Sequence, residues 1–335
     1  MKPIGTRSRI ALLLLFLGIS AFGAELSAGP GSKVKASEVI ALDRTGEERH
    51  GVEIIAWSGD GSIYFLDSDL NLVKQISPPN ETWVRDVIQV PDGLLMFAGR
   101  ETKTGEMEVV LIQYDIAQGR ELKRWSNPKH AIWSIAATDH GAVAISFYGV
   151  LWALGPNGLE KMAEYPGESF YLPIAGTEPI ICTGPDLSKL NWTPPDLTRF
   201  NWRPGVCYRE GEFNWKKEGG WLNTAPPFVC GDYLVEKHIH KKVGVGIGIS
   251  VTDVATGRQV SDYTPTDISA ISALTCAGTD MIYALGPSII IRDLPNLKEV
   301  YRLDTGSKEI YSIAATDQAI YFVDGARRVR KHDLH

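Results

Sequence analysis

Two copies of one short sequence decide the fold. Residues 132–139 read Ile-Trp-Ser-Ile-Ala-Ala-Thr-Asp, and residues 310–317 read Ile-Tyr-Ser-Ile-Ala-Ala-Thr-Asp. Seven of the eight positions are identical, and the eighth exchanges one aromatic residue for another. The copies start 178 residues apart, at 132 and 310, which is four times about 44 residues. A period of about 40–45 residues built from short strands is typical of β-propeller blades.

Hairpin patterns recur along the chain at a compatible spacing. Each one is an alternating strand, a turn containing Asp, Asn or Gly, and a second, more polar strand; they span 63–76, 111–125, 151–165, 251–263 and 289–303. Aspartate bonds the backbone amides ahead of it, and glycine supplies the positive φ that such turns need. The second strand of each pattern is the more polar one, as expected if it is the outermost strand of a blade and faces water. We therefore predict an all-β protein with little helix.

The repeat divides the chain into seven predicted blades. They cover 37–79, 83–127, 131–166, 169–218, 221–265, 268–305 and 309–335. The last blade receives only three strands from the C-terminal end. Residues 32–45 either supply its outer strand or open the first blade, and a six-bladed ring is the alternative. Residues 25–335 are thus predicted to form a single propeller domain with a loop insertion in the fourth blade, at 184–204.

Residues 1–24 have the pattern of a secretory signal peptide. A basic segment with Lys2, Arg7 and Arg9 precedes an apolar run from Ile10 to Phe22, and small residues follow it. The run is shorter than the roughly 20 residues that span a bilayer, so an uncleaved anchor is the less favoured alternative. We expect a secreted or periplasmic protein that has no integral membrane segment after the leader is removed.

The charge of the chain argues against nucleic acid as its partner. The net charge is −6, and loss of the three leader cations makes it −9. An acidic surface repels the phosphates of a nucleic acid. We expect a monomer that binds a protein or a glycan, and we predict no cofactor.

Four cysteines allow three disulfide pairings in an oxidising compartment. They are Cys182, Cys207, Cys230 and Cys276, and none of their spacings suits a zinc ribbon or a redox CxxC motif. If the third strand of the fourth blade starts near 205, Cys207 lies beside the strand that carries Cys182. We therefore prefer a bond between these two, which would close the base of the 184–204 insertion.

This insertion is the main departure from the regular repeat. It carries Trp192 and Trp202 in two Asn-Trp pairs on either side of a Pro-Pro turn. Long connections without strands are usually functional or disordered, and abundant tryptophan argues against disorder. The insertion joins the second and third strands of its blade, on the face where propellers usually bind ligands. We predict that the loop-rich face of the fourth and fifth blades binds a protein or glycan.

Aromatic and charged residues recur where each inner strand begins, on the same face. Two interpretations fit the aromatic ones: the rings wedge neighbouring blades apart, or they contact a ligand. The charged ones are harder to explain as core and would suit an anionic or polar ligand. Together with the loop tryptophans, the candidate ligand-binding residues are Trp83, Arg85, His130, Trp133, Tyr171, Trp192, Trp202, Trp221, Lys308 and Tyr311.

A weaker candidate site lies in the fifth blade. Glu236, His238 and His240 alternate along a predicted strand, so their side chains share one face and could hold zinc or copper. The lysines at 237, 241 and 242 would repel a cation, so we favour a solvated hairpin tip and predict no metal.

The chain contains no G-x-S-x-G, H-E-x-x-H or P-loop motif. We therefore favour a non-catalytic binding or scaffold module. The alternative is a lyase or hydrolase whose acid and base come from separate loops around the central channel, such as His130 with Arg85, or His238 with His240.

Two hairpin turns carry a family resemblance. Asp253–Arg258 reads Asp-Val-Ala-Thr-Gly-Arg and Asp115–Arg120 reads Asp-Ile-Ala-Gln-Gly-Arg. These turns resemble the D-x-x-T-G repeat of quinoprotein-like propellers, a superfamily that includes quinone-cofactor dehydrogenases and a propeller component of outer-membrane assembly machinery. The resemblance implies the architecture alone. The dehydrogenases use eight blades, a metal site and often a vicinal disulfide, whereas this chain has no adjacent cysteines and is short for eight blades.

Overall fold

The computed structural model describes most of the chain after residue 33. The described residues are 34–42, 52–77, 83–90, 93–101, 107–116, 118, 120–126, 132–138, 141–146, 148–165, 170–171, 174–175, 178–183, 206–209, 215–218, 227–240, 246–263 and 271–334. They form β-strands, turns and bends, with no helix among them. The predicted all-β class is confirmed.

The strands follow one another as short antiparallel sheets. The first three sheets contain β1 Glu38–Ala41, β2 Ile54–Trp57, β3 Ile63–Leu66 and β4 Leu72–Ile76; β5 Trp83–Val90, β6 Gly93–Glu101, β7 Met107–Asp115 and β8 Arg120–Ser126; β9 Ile132–Thr138, β10 Gly141–Ser146, β11 Val150–Gly155 and β12 Gly158–Glu164. The fourth contains β13 Phe170–Tyr171, β16 Ile181–Thr183, β17 Val206–Arg209 and β18 Trp215–Glu218, with a small hairpin of β14 Ile174–Ala175 and β15 Glu178–Pro179 inserted after β13.

The C-terminal part repeats the same plan. It contains β19 Phe228–Cys230, β20 Tyr233–His240, β21 Gly246–Asp253 and β22 Gln259–Tyr263; β23 Ile271–Ala277, β24 Asp280–Leu285, β25 Ser288–Asp293 and β26 Glu299–Asp304; and β27 Ile310–Ala315, β28 Ala319–Asp324 and β29 Val329–Asp333. The described residues thus give six four-stranded blades of a β-propeller and a final three-stranded sheet. Each sheet falls inside one of the seven predicted blades, and the last has the three strands expected of it.

The core lies between blades, because each sheet buries one face on the sheet before it and the other on the sheet after it. Phe65 of the first blade and Leu94 of the second are fully buried in one shared cluster. Ile289 and Ile320 do the same between the sixth blade and the last sheet. Similar apolar clusters join the second blade to the third, the fourth to the fifth, the fifth to the sixth, and the last sheet to the first blade. Burial is therefore spread around the ring.

The ring closes where the N-terminal segment meets the last sheet. Lys35 forms an antiparallel bridge with Arg328, and the Ala36 amide donates to the Arg327 carbonyl at 2.9 Å. The chain then enters β1, which pairs with β2 as the first strand of the first blade. Residues 32–45 were expected either to supply the outer strand of the last blade or to open the first blade. Within this segment, residues 38–41 open the first blade.

In the acidic turns of the outer hairpins, the aspartate side chain accepts hydrogen bonds from backbone amides ahead of it, as the sequence predicts. Asp253 Oδ1 accepts hydrogen bonds from the amide and the hydroxyl of Thr256, both at 2.7 Å, and Gly257 has a φ of 68°. Asp115 accepts from the Gln118 amide at 2.8 Å in the equivalent turn of the second blade. The two turns of this chain therefore share a hydrogen bond from the third following amide to the aspartate side chain.

A disulfide joins two neighbouring blades. Cys230 at the end of β19 is bonded to Cys276 on β23, with 5.6 Å between their Cα atoms. Cys182 is also disulfide-bonded, and it lies directly opposite Cys207 in the β16–β17 register. That register supports the predicted Cys182–Cys207 pairing.

Candidate functional site

Inner strands begin at the same end of the propeller as the connections between second and third strands, because the strands of each blade alternate in direction. We call this end the mouth face. Three predicted ligand-binding residues share one backbone position there. The β5–β6 register shifts at Arg85, the β9–β10 register at Trp133 and the β27–β28 register at Tyr311. Each is the extra residue of a β-bulge, a device that re-aims a side chain and is common beside binding sites.

A carboxyl group that the sequence analysis did not select lies next to these bulges. Glu38, at the start of β1, accepts a hydrogen bond from the Ser312 side chain on β27. Ser312 Oγ accepts another from the Val39 amide at 3.2 Å. Glu38 is an exposed residue by its surface area, while the protein atoms around its carboxylate reduce the hydration of the charged form. This burial, and then the nearby charge of Asp86, raise the pKa of Glu38 to about 7.

Asp86 is the second carboxyl group of the cluster. It follows Arg85 in β5, at the repeat position that is Ser134 in the third blade and Ser312 in the last sheet. Burial raises the pKa of Asp86 to about 6, against the opposing effects of the Arg85 charge and the Val87 amide. Two carboxyl groups on adjacent blades therefore titrate near neutral pH.

The guanidinium group of Arg327 also belongs to this cluster. Arg327 lies in the β28–β29 turn with a φ of 62°, and its guanidinium carbon is 3.6 Å from the centre of the Tyr311 ring. Its charge lowers the pKa of Glu38, against the larger effect of burial. The pKa of Tyr311 is raised, first through its hydrogen bond with Glu309 and then through burial. We call Glu38, Asp86, Ser312, Tyr311 and Arg327 the mouth cluster.

The remaining candidate residues fall into three groups. The half-buried Trp83 packs into the apolar cluster between the second and third blades, which favours the wedge interpretation for it. Lys308 lines a groove beside the last sheet. Trp133 and Tyr171 lie on inner strands β9 and β13, but their side chains are outside what the structure describes, as are His130, Trp192, Trp202 and Trp221 entirely.

Two features of the mouth face distinguish the fourth and fifth blades. Strand β16 ends at Thr183 and β17 begins at Val206, so residues 184–205 connect the second and third strands of the fourth blade. In the fifth blade the β20–β21 register continues to His240 opposite Gly246, while among the described residues the β19–β20 pairing ends at Phe228 opposite Val235. The central hairpin of this blade therefore extends beyond the described part of its inner strand toward the mouth face.

The weak metal candidate stays untested. Glu236 is buried and lies within 3.4 Å of the Ser250 hydroxyl, and His238 and His240 stand opposite Gly248 and Gly246. The side chains of both histidines are outside the described set, and no metal-binding group occurs among the side chains that are described.

One expectation for this segment is wrong. Lys237 is buried, and its ammonium group donates to the Ile271 carbonyl of the next blade, so it is not at a solvated hairpin tip.

Comparison with known proteins identifies the fold alone. No protein-family model matches the chain, and no curated protein matches it. A crystal structure of the computationally designed Ika8 protein superposes with a TM-score of 0.59 at 13% identity, covering 93% of this chain and 100% of the designed one. Within the described residues, no helix has the length and apolar character needed to cross a membrane.

Proposed function

We propose that the protein is a secreted or periplasmic β-propeller that binds a protein or glycan, without catalysis, on the mouth face of its fourth and fifth blades. The observation that carries this proposal is the 184–205 connection. The equivalent connection of the sixth blade contains only residues 286–287, between β24 and β25. A long connection inserted into a regular repeat, on the face where propellers bind ligands, is typical of an added recognition loop.

The chemistry of the loop supports the choice of partner. Indole rings stack on the C–H faces of sugars and are also frequent in the centres of protein interfaces. Trp192 and Trp202 give the loop two such rings. The Cys230–Cys276 disulfide supports an oxidising compartment. The extended β20–β21 hairpin would form the second wall of the binding surface.

The first experiment replaces residues 184–205 by a short Gly-Ser turn while keeping Cys182 and Cys207. We expect binding on a glycan array, or cross-linking to a purified secreted or periplasmic partner, to be lost, while the melting temperature stays close to that of the parent protein. The double variant Trp192→Ala/Trp202→Ala should give the same loss. The matched control is Tyr148→Ala, an exposed aromatic on the corresponding connection of the third blade. Unchanged binding after loop replacement would refute the proposal.

The mouth cluster supports a second candidate, a lyase or hydrolase with acid and base around the channel. A carboxyl group with a pKa near 7 can both give and take a proton at neutral pH, which general acid–base catalysis requires. Glu38 would be the acid or base, and Arg327 would stabilise negative charge. Turnover in a substrate screen that survives both Glu38→Gln and Asp86→Asn would exclude this site.

A further inference from the structure

A charged groove lies between the sixth blade and the last sheet, on the mouth face and beside the mouth cluster. Its volume is about 730 Å³, and one wall is the connection 305–309 between β26 and β27. The other wall is the β28–β29 turn with the first part of β29. Four cations line the groove, Lys308, Arg328, Arg330 and Lys331, against two carboxylates, Glu309 and Asp324. A third carboxylate, Asp333, pairs with Lys331 at 2.8 Å, which leaves an excess of one positive charge. This excess of positive charge stands out in a chain with a net charge of −6.

Asp324 holds two of these cations in place. Its carboxylate is 5% exposed, and Oδ2 lies 3.3 Å from Arg328 Nε and 3.0 Å from Arg330 Nε. The Ala326 and Arg328 amides both donate to Oδ1 at 2.9 Å. These contacts lower the pKa of Asp324 against the effect of its burial, so it stays ionised. Arg330 donates to Asp324 through Nε, so the terminal nitrogens of the Arg330 guanidinium group take no part in that hydrogen bond.

The other carboxylate is also engaged, and the two walls are tied together. Glu309 makes a side-chain hydrogen bond with Tyr311. The Ser307 hydroxyl donates to the Glu309 carbonyl at 2.7 Å and accepts from the Gly325 amide at 2.9 Å. A Cβ on Gly325 would lie 3.4 Å from that hydroxyl oxygen. Walls joined so closely keep the cations at fixed separations, which reduces the ordering cost of binding.

We infer that this groove binds an oxyanion, a carboxylate or a phosphate, carried by a larger molecule. A guanidinium fork matches either group with two parallel hydrogen bonds. The volume is that of a typical ligand pocket, so it exceeds what a bare ion would need. Arg330 is the principal contact for the oxyanion, and the ammonium group of Lys308 adds a second positive charge on the opposite wall. This site is separate from the binding face of the fourth and fifth blades.

The test is calorimetric titration of the full mature chain with two probes, inorganic phosphate and glucuronate, at low and at physiological ionic strength. We expect at least one probe to bind, and Arg330→Gln to weaken its binding about tenfold or more, because a charge-assisted pair is lost. Arg330→Lys should fall between the two, since it keeps the charge and loses the fork. The probe that binds more tightly identifies the oxyanion.

Lys161→Gln is the control, because Lys161 is an exposed cation on another blade that also pairs with a carboxylate, Glu164. It should bind the probe as the parent protein does. Equal weakening by Arg330→Gln and Lys161→Gln, or no binding of either probe at low ionic strength, would overturn the inference. Melting curves show whether each variant is folded, and Lys308→Gln gives an independent reading of the same groove with an expected weakening of about threefold to tenfold.

Discussion

Glu38 and Asp86 make the stability of the propeller depend on pH. Burial raises both pKa values, to about 7 and about 6, whereas the unfolded chain titrates near 4.5 and 3.8. The folded protein therefore binds more protons than the unfolded chain between these values. The stabilising contribution of both groups to the free energy of unfolding is fully present below about pH 4, and it is lost as the pH rises through 6 and 7.

The first prediction follows from that sign. Asp86→Asn and Glu38→Gln each remove a carboxyl group that ionises unfavourably, so at pH 8 each should raise the free energy of unfolding by about 1 kcal/mol after allowing for solvent access. The gain should disappear at pH 4. Urea unfolding at the two pH values measures it, with the exposed Asp317→Asn as control. Equal effects at both pH values would contradict the assignment.

At the residue scale, the sequence indicated a position that the blades share, while the ligand contacts proposed for it stay a prediction. The repeat indicated Arg85, Trp133 and Tyr311, because aromatic or charged residues recur at one position, and that position is a bulge. Asp86 was missed although the repeat contains its signal: an aspartate occupies the position that is serine, Ser134 and Ser312, in the two matching copies. Glu38 had no signal, because its environment is created by Ser312, which is 274 positions away in the chain.

At the scale of single elements, the Asp253–Gly257 turn offers the second prediction. Asp253→Ala should cost about 1 kcal/mol, since two hydrogen bonds are lost, and Gly257→Ala should cost a similar amount because of its positive φ. Thr256→Ser keeps the hydroxyl bond to Asp253 and is the matched control. Thermal unfolding followed by circular dichroism provides the measurement. A Thr256→Ser variant as unstable as Asp253→Ala would count against this account of the turn.

The Cys230–Cys276 bond carries the third prediction, because it is a covalent link between the inner strands of two blades that also contact each other through side-chain packing and hydrogen bonds. It closes a span of 46 residues, for which loop-closure entropy in the unfolded chain corresponds to about 4 kcal/mol. We expect Cys230→Ala/Cys276→Ala to lower the urea midpoint accordingly while the native spectrum is kept. A midpoint equal to that of the parent protein would show that the unfolded chain is not restricted by this bond.

Strands and turns were predictable because their signals are local: alternation, acidic turns and a fixed period. Contacts between blades were not. Lys237 has the sequence context of an exposed hairpin, yet it is buried because the first residue of β23 offers a carbonyl to its ammonium group. Periodicity within one blade contains no information about the neighbour that packs on it. The Asp324 pair with Arg328 and Arg330 escaped prediction for a different reason, since it depends on how a single turn folds back on its own strand.

At the scale of the whole molecule, the ring depends on one junction between chain ends. Val34 and Ala36 are buried in a cluster that joins β1 of the first blade to β28 and β29 of the last sheet. Val329 of that sheet is fully buried in the same cluster. The other interfaces join blades that are adjacent in sequence, so a break there leaves the chain connected locally. A break at this junction frees both ends at once.

The last prediction tests that junction. Val34→Ala should cost about 1–2 kcal/mol of unfolding free energy, because buried methyl groups are lost from a packed cluster. More specifically, hydrogen exchange should accelerate in β1 and in β27–β29 while β9–β12 keep their protection, because opening begins where the ends meet. Val251→Ala, a fully buried valine within the fifth blade, is the matched control and should leave the exchange of β1 unchanged relative to β9. If Val34→Ala instead lowers protection evenly around the ring, the propeller unfolds as one cooperative unit, and the junction is no weaker than the other interfaces.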